Sequence, residues 1–299
     1  MNPRFKRTQF IRIIVTNQMK YLILFFGLVP CTLVSAQNSS WFCNEEEKGI
    51  ERRWYDAEIG RQKALIIYPE KITNSNLVVF LHGDSPFGDP VYQYNISKNI
   101  SEITNSVTVA LLRPGYRDGC GDISGGVRGL TMGDNYTQEV VNTLNSVIST
   151  IQKQEDISQT VVMGHSGGAA LTALLAQSNP ELMDQSILVA CPCNLSAWRR
   201  SMESLTNNPN WSNPMSGLSP LDRISKLALN KRIHLYVGAN DQVAPSFLTT
   251  EFFKATSELD VNVKMKIVPG EDHESILKKP ILYTMLSEAG LTEKTKESK

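Results

Sequence analysis

Little in this chain is extreme, and each shortage removes a class of protein. Basic and acidic side chains balance, 30 Lys and Arg against 30 Asp and Glu, so there is no basic footprint for nucleic acid. Cysteine totals five and histidine four, and no further ligands stand at zinc spacing, so the reading calls for no metal. The apolar run from Tyr21 to Val34 covers 14 residues and contains Pro30, which is short for a membrane span. No Pro-, Gly- or Ser-rich linker and no internal repeat divides the 299 residues, which suit one large α/β domain. Gly119-x-Gly121 is not a dinucleotide fingerprint, because Ser124 holds the third glycine position and no strand-to-helix junction frames it; no cofactor is called for.

The N-terminus differs from the rest. Arg4, Lys6, Arg7, Arg12 and Lys20 bring five positive charges and no acid; YLILFFGLV and then Val34-Ser35-Ala36 follow. Basic, apolar, small-residue is the order of a secretory signal peptide over residues 1–36, leaving 37–299 as a single domain, secreted or periplasmic, with no stable membrane insertion. Met19-Lys20 opens a compact signal by itself and makes Met19 a candidate start. Without residues 1–36 the chain has 25 bases against 30 acids, a net charge of −5. Asn38, Asn95, Asn99, Asn135, Asn194 and Asn210 occupy Asn-x-Ser/Thr sequons. Cys43, Cys120, Cys191 and Cys193 remain, an even number with three possible connectivities. Cys191 and Cys193 stand too close to favour bridging each other, so Cys120 is expected to pair with one of them.

The pattern along the chain is one of alternation. A hairpin flanks Gly60, ending in ALIIYP. LVVFLHG (77–83) and SVTVALL (106–112) are short apolar runs of the kind buried on both faces, separated by a polar stretch around residues 92–105. Val140, Val141, Leu144, Val147, Ile148 and Ile151 fall on one helical face, with Asp134 and Asn135 as candidate caps. TVVMG, a helix over 167–178, SILVA (186–190), an irregular segment to about residue 230, RIHLYVG (232–238), a helix near 246–258, VNVKMKIVPG (261–270) and a final helix over 275–287 complete the pattern. Strands alternating with helices predict a mostly parallel sheet covered on both faces, with ligands at the carboxyl ends of its strands.

The chemistry gathers at those ends. In VVMGHSGGAAL, Ser166 sits between a strand and a helix, where a tight turn exposes the hydroxyl and a Cβ at Gly164 or Gly168 would collide across the turn. The first helical amide, of Gly167, points toward developing negative charge and is a candidate oxyanion donor. A serine needs a base. Of the four histidines, His82 ends a strand, its ring expected to bond nearby backbone; His165 belongs to the turn and His234 lies inside a strand. His273 remains. Asp241, just after RIHLYVG, is the acid expected to orient it, with Asp272 in reserve, and Ser, Asp, His is the chain order of this architecture.

The elbow, GANDQVAP and PGEDHES resemble the α/β-hydrolase family from about residue 50 onward. The short region between Ala190 and Arg232, Ser219-Pro220-Leu221 and the spacing of Asp241 and His273 look like catalytic domains of the prolyl-oligopeptidase and dienelactone-hydrolase types. The resemblance implies the α/β-hydrolase fold with a short lid at about 191–230, and an acyl-enzyme mechanism. It also implies that His82-Gly83-Asp84 completes the oxyanion hole, through the amide of Asp84 or of Ser85. The chain departs from the peptidases in having no N-terminal propeller, and from many lipases in lacking the HGGG run.

Arg113 to Asp134 holds seven glycines in 22 residues and leaves the sheet on the catalytic side. Tyr116, Arg117 and Arg128 are candidate substrate contacts there, an Arg meeting an anionic group, against the alternative of a solvated insertion tied down by Cys120. Trp198 is a candidate wall of an acyl or sugar pocket. The reading is an exported serine hydrolase acting on carboxylic esters of small-molecule or acylated substrates, its oligomeric state left open. The alternatives are a peptidase of prolyl-oligopeptidase type and a non-catalytic binding protein on the same fold.

Overall fold

Apolar runs without interruption become the strands buried on both faces. The computed structural model describes residues 41–44, 47–86, 88–227 and 231–293; the expected signal peptide, the Met19 start and the Asn38 sequon lie outside them. Eight strands, β1 (Ile50–Tyr55), β2 (Gln62–Ile67), β3 (Asn76–Leu81), β4 (Val107–Leu111), β5 (Gln159–His165), β6 (Gln185–Val189), β7 (Arg232–Gly238) and β8 (Asn262–Val268), form one sheet in the order β1-β2-β4-β3-β5-β6-β7-β8. The β1–β2 and β2–β4 pairs are antiparallel and all others parallel. The edge strands IERRWY and NVKMKIV carry most of the strand charges, which discourages edge-to-edge pairing.

Among the described residues six helices accompany the sheet: α1 (Tyr92–Thr104), α2 (Gln138–Gln154), α3 (Gly167–Ser178), α4 (Leu195–Thr206), α5 (Ser246–Ser257) and α6 (Lys279–Glu288). Val79, Leu81, Val109 and Val162 share one core with α2, α3 and α5, while Val78, Phe80, Val161 and Met163 share a second with α1 and α6. The helix α3 is buried along Gly167–Gln177, as its small and apolar sequence requires. The chain runs from β3 outward to β4 and then returns to β5 on the other flank of β3. That reversal opens a crevice where β3 and β5 end, with Leu81 paired to Gly164. It is the position of Ser166.

Several expectations need correction. The polar stretch after β3 is the helix α1, whose Ile100 reaches the core amid Asn and Ser. The segment expected to be irregular contains α4, anchored by Leu195, Trp198 and Met202. Thr137 caps α2, its side chain accepting from the Val140 amide, so neither Asp134 nor Asn135 is the cap. Asp134 instead accepts from the amides of Leu130 and Thr131. The final helix breaks at Lys278, before Pro280, into a short 3-10 turn (Ser275–Leu277) and α6.

The disulfides differ too: Cys43 pairs with Cys120, and Cys191 with Cys193. Two residues of extended chain would span roughly 7 Å. The chain turns as it leaves β6, where Ala190 has φ 53°, and the Cα atoms of Cys191 and Cys193 come within 5.1 Å, a separation a disulfide bridges. Among the described residues no helix is long and apolar enough to cross a membrane, and no His, Cys, Asp and Glu side chains cluster as metal ligands.

Candidate active site

Ser166 joins β5 to α3 with φ 53° and ψ −122°, a conformation that L-residues hold only under constraint. Small neighbours supply the room. A Cβ on Gly164 would run into the backbone of Gly168 across the turn, as expected; a Cβ on Gly168 would strike the Leu81 carbonyl of β3, so that glycine serves the contact between α3 and the sheet. The amide of Ser166 donates to Val189 O at 2.9 Å and fixes the elbow to β6.

Asp241 follows β7 and His273 follows β8, the last two strands of the sheet. His273 Nδ1 lies 2.8 Å from Asp241 Oδ2. The other oxygen, Oδ1, accepts from the amides of Val243 (2.9 Å) and Ala244 (2.8 Å), so the acid is held in place by backbone, and its side chain is fully buried. With Nδ1 engaged, Nε2 of His273 is the nitrogen left for a serine proton. Ser166 and His273 line one pocket of about 470 Å³, together with Gly83, Asp84, Tyr92, Ile96, His165 and Leu277. No Ser166–His273 hydrogen bond is formed among the described contacts; such bonds commonly tighten only when substrate binds. Asp272 is exposed and accepts from the amides of Ser275 and Glu274, which pulls its pKa down; it caps the turn, and the carboxylate bonded to the His273 ring is that of Asp241.

The loop after β3 passes beside the elbow: a Cβ built on Gly83 would lie 3.0 Å from the Ser166 Cβ. Asp84 lines the pocket and Ser85 does not, since Ser85 Oγ donates to Gly88 O and its carbonyl accepts from Arg128. Between the two amides left open by sequence, position favours Asp84. The Asp84 carboxylate points away from solvent, accepting from Tyr116 Oη (3.0 Å) and Tyr136 Oη (2.7 Å), with Arg113 Nη1 at 3.0 Å. Arg113 is buried between the rings of Tyr116 and Tyr136 and also reaches His82 O and Asn135 Oδ1. His82 bonds backbone on both sides, Nδ1 to Gly83 O and Nε2 to Arg113 N; burial, with the Arg113 charge, pushes its pKa far below the usual histidine value. The structural reading of His82 holds.

The four residues expected to contact substrate do not line this pocket. Tyr116 is buried against His82 and Asp84, and Arg128 stacks on Tyr116 at the rim of a separate recess of about 90 Å³. Arg117 is exposed and sits 3.6 Å from Asp89. Trp198 packs edge-on against Trp211 and donates to Val243 O at 2.8 Å. The glycine-rich loop is drawn behind Asp84 by its own anchors: Asp118 accepts from buried Lys63 and from Tyr94, and Cys120 is tied to Cys43. Among the described residues of 191–230, none lines the pocket either. Tyr92, Ile96 and Leu277 do, and sequence reasoning missed them. Ile96 follows Tyr92 by four residues, a helical spacing that could have placed both on one face.

A family model described as the prolyl oligopeptidase family matches residues 129–288. No curated protein matches the chain. Among solved structures, the esterase Pf2001 of Pyrococcus furiosus superposes with a TM-score of 0.59 at 15% identity, over 80% of this chain and 92% of that one. An acylaminoacyl peptidase of Pyrococcus horikoshii gives 0.62 at 16% identity, over 84% of this chain and 43% of that one. A puromycin hydrolase gives 0.59 at 17%, over 81% and 38% respectively. At such identities the likeness is one of fold, the α/β-hydrolase fold. The family match spans more than half of the sequence, and this chain belongs to the prolyl oligopeptidase family.

Proposed function

We propose that the protein is an exported serine hydrolase that cleaves carboxylic esters through an acyl-enzyme. The observation that carries this is the Asp241–His273 pair, 2.8 Å apart with the acid buried, whose histidine lines the same pocket as Ser166 on its constrained turn. His273 Nε2 takes the Ser166 proton as Oγ attacks the acyl carbon, and the oxyanion is met by the amides of Gly167 and Asp84. Collapse expels the alcohol with the proton from His273; water, activated by the same base, then releases the acid.

Tyr92, Ile96 and Leu277 give the pocket an apolar side suited to a small acyl group. Preference for esters is supported by the solved structures of similar fold, among which Pf2001 of Pyrococcus furiosus is an esterase. Peptide hydrolysis is the second reading, and the family match favours it. Export is supported by the order of residues 1–36 and by two disulfides, which persist in oxidising compartments. The substrate partner is a small or acylated molecule, and the reaction calls for no cofactor.

A fluorophosphonate probe should label the mature protein and not Ser166→Ala, and a panel of acyl esters and aminoacyl amides should show faster ester turnover. Absence of labelling would overturn the hydrolase reading, and amide turnover exceeding ester turnover would replace esterase with peptidase.

A further inference from the structure

Three loops must meet for this chemistry: the oxyanion loop after β3, the elbow after β5 and the base loop after β8. One chain of hydrogen bonds runs through all three. Gly83 N lies 2.5 Å from Tyr92 Oη, Tyr92 Oη lies 2.9 Å from His165 Nδ1, and His165 Nε2 lies 2.8 Å from the carbonyl oxygen of His273. The direction of every bond follows from its ends. A carbonyl only accepts, so His165 carries its proton on Nε2 and donates to His273 O. Its Nδ1 is then an acceptor, so the Tyr92 hydroxyl donates to it; the Tyr92 oxygen in turn accepts from the Gly83 amide. The rings agree, with Tyr92 edge-on to His165 and the His165 and His273 centroids 4.7 Å apart.

We infer that Tyr92 and His165 are positioning residues for the proposed reaction, holding the oxyanion loop, the nucleophile and the base in mutual register through this single relay. The inference rests on the hydrolase reading. Asp241 fixes the imidazole of His273 by its ring nitrogen, and His165 fixes the same residue by its main chain, so the base is held at two points. His165 immediately precedes Ser166, so the second tether ties base directly to nucleophile. At the other end the Gly83 amide is consumed by Tyr92, which leaves Asp84 and Gly167 as the amides free for the oxyanion. Burial, reinforced by the nearby His273, lowers the His165 pKa to about 3, consistent with a neutral ring that can accept on one side and donate on the other.

The test separates position from mere structure. Tyr92→Phe removes only the hydroxyl, and His165→Leu removes both ring partners; each should lower kcat roughly 10- to 100-fold with KM changed less than about threefold. His165→Gln offers one acceptor and one donor and should recover most of kcat. In histidine-labelled protein at neutral pH, nitrogen NMR should show His165 protonated on Nε2 with Nδ1 bare. If His165→Leu does not fold, Tyr92→Phe and the NMR tautomer carry the test. Wild-type kcat in a folded Tyr92→Phe, failure of Gln to restore a folded Leu defect, or an Nδ1-protonated His165 would each overturn the inference. Those outcomes differ from failure of the hydrolase reading, which would show as wild-type protein inert toward the fluorophosphonate.

Discussion

Arg113 Nη1 lies 3.0 Å from Asp84 Oδ1, and the guanidinium side chain is wholly buried while the carboxylate keeps only 8% of its surface. The pair joins the loop after β3 to the loop after β4 immediately behind the amide proposed for the oxyanion. Two buried charges cost desolvation, and here that cost is offset by the phenols of Tyr116 and Tyr136, by His82 O and by Asn135 Oδ1. Arg113→Met should strand the carboxylate and cost roughly 3–5 kcal/mol. Arg113→Lys should recover little, because one ammonium cannot match the planar fork that reaches these partners. Denaturant unfolding checks this; a loss below about 1 kcal/mol for Met would show that the pair does not hold the loop.

Two acids compete for the role beside His273, and the structure separates them. Asp241→Asn keeps the shape but not the charge or the tautomer-setting acceptor, and should lower kcat by roughly 10³–10⁴-fold. Asp272→Asn alters an exposed turn cap and should leave kcat within about threefold. Steady-state kinetics on the preferred ester, with both variants checked for folding, decides; the reverse ranking would move the acid to Asp272.

The proposed reacting groups were legible because each follows a strand-like run and each has a type that the chemistry restricts. Gly164 and Gly168 flag a turn where side chains cannot fit, and His273 is the histidine left once strand and turn positions are set aside. Their supports were not legible. Arg113, Asp84 and Tyr136 meet only because β4 and β5 flank β3, and no local pattern encodes that pairing. Arg117 and Arg128 read as ligands for an anion, yet Arg117 lies beside Asp89 and Arg128 donates to Ser85 O. The helix α1 was hidden by its Asn and Ser residues and α4 by its Ser and Arg residues, with few apolar residues needed to seat each one. The Cys191–Cys193 bridge depended on a turn at Ala190 that propensity disfavours.

The neutral His165 makes stability depend on pH in a calculable direction. Its pKa is about 3 when folded and 6.5 when unfolded, so between those values the unfolded chain binds the extra proton. The contribution is present in full above pH 6.5 and is lost as pH falls toward 3, at about 1.4 kcal/mol per pH unit at most. Buried His82 shifts in the same direction and adds to the slope. Unfolding free energies across pH 4–6 should therefore fall less steeply for His165→Gln than for wild type. Parallel profiles would mean that His165 takes up its proton in the folded state.

The two disulfides should differ sharply in what their removal costs. Cys43–Cys120 closes a separation of 77 residues, and in the chain-entropy model that restriction of the unfolded state is worth about 4.5 kcal/mol. Cys191–Cys193 closes a separation of two and is worth about 1 kcal/mol on the same scale. The longer bridge also ties the Trp41–Cys43 turn to the glycine-rich loop whose Asp118 is held by Lys63 and Tyr94, so its loss should expose that loop to protease first. Cys43→Ser with Cys120→Ser is expected to lower the unfolding free energy by more than Cys191→Ala with Cys193→Ala and to speed cleavage within residues 113–134. Equal destabilisation by the two double variants, with no new cleavage in the loop, would show that the anchor at Cys120 is redundant with the buried Lys63–Asp118 pair.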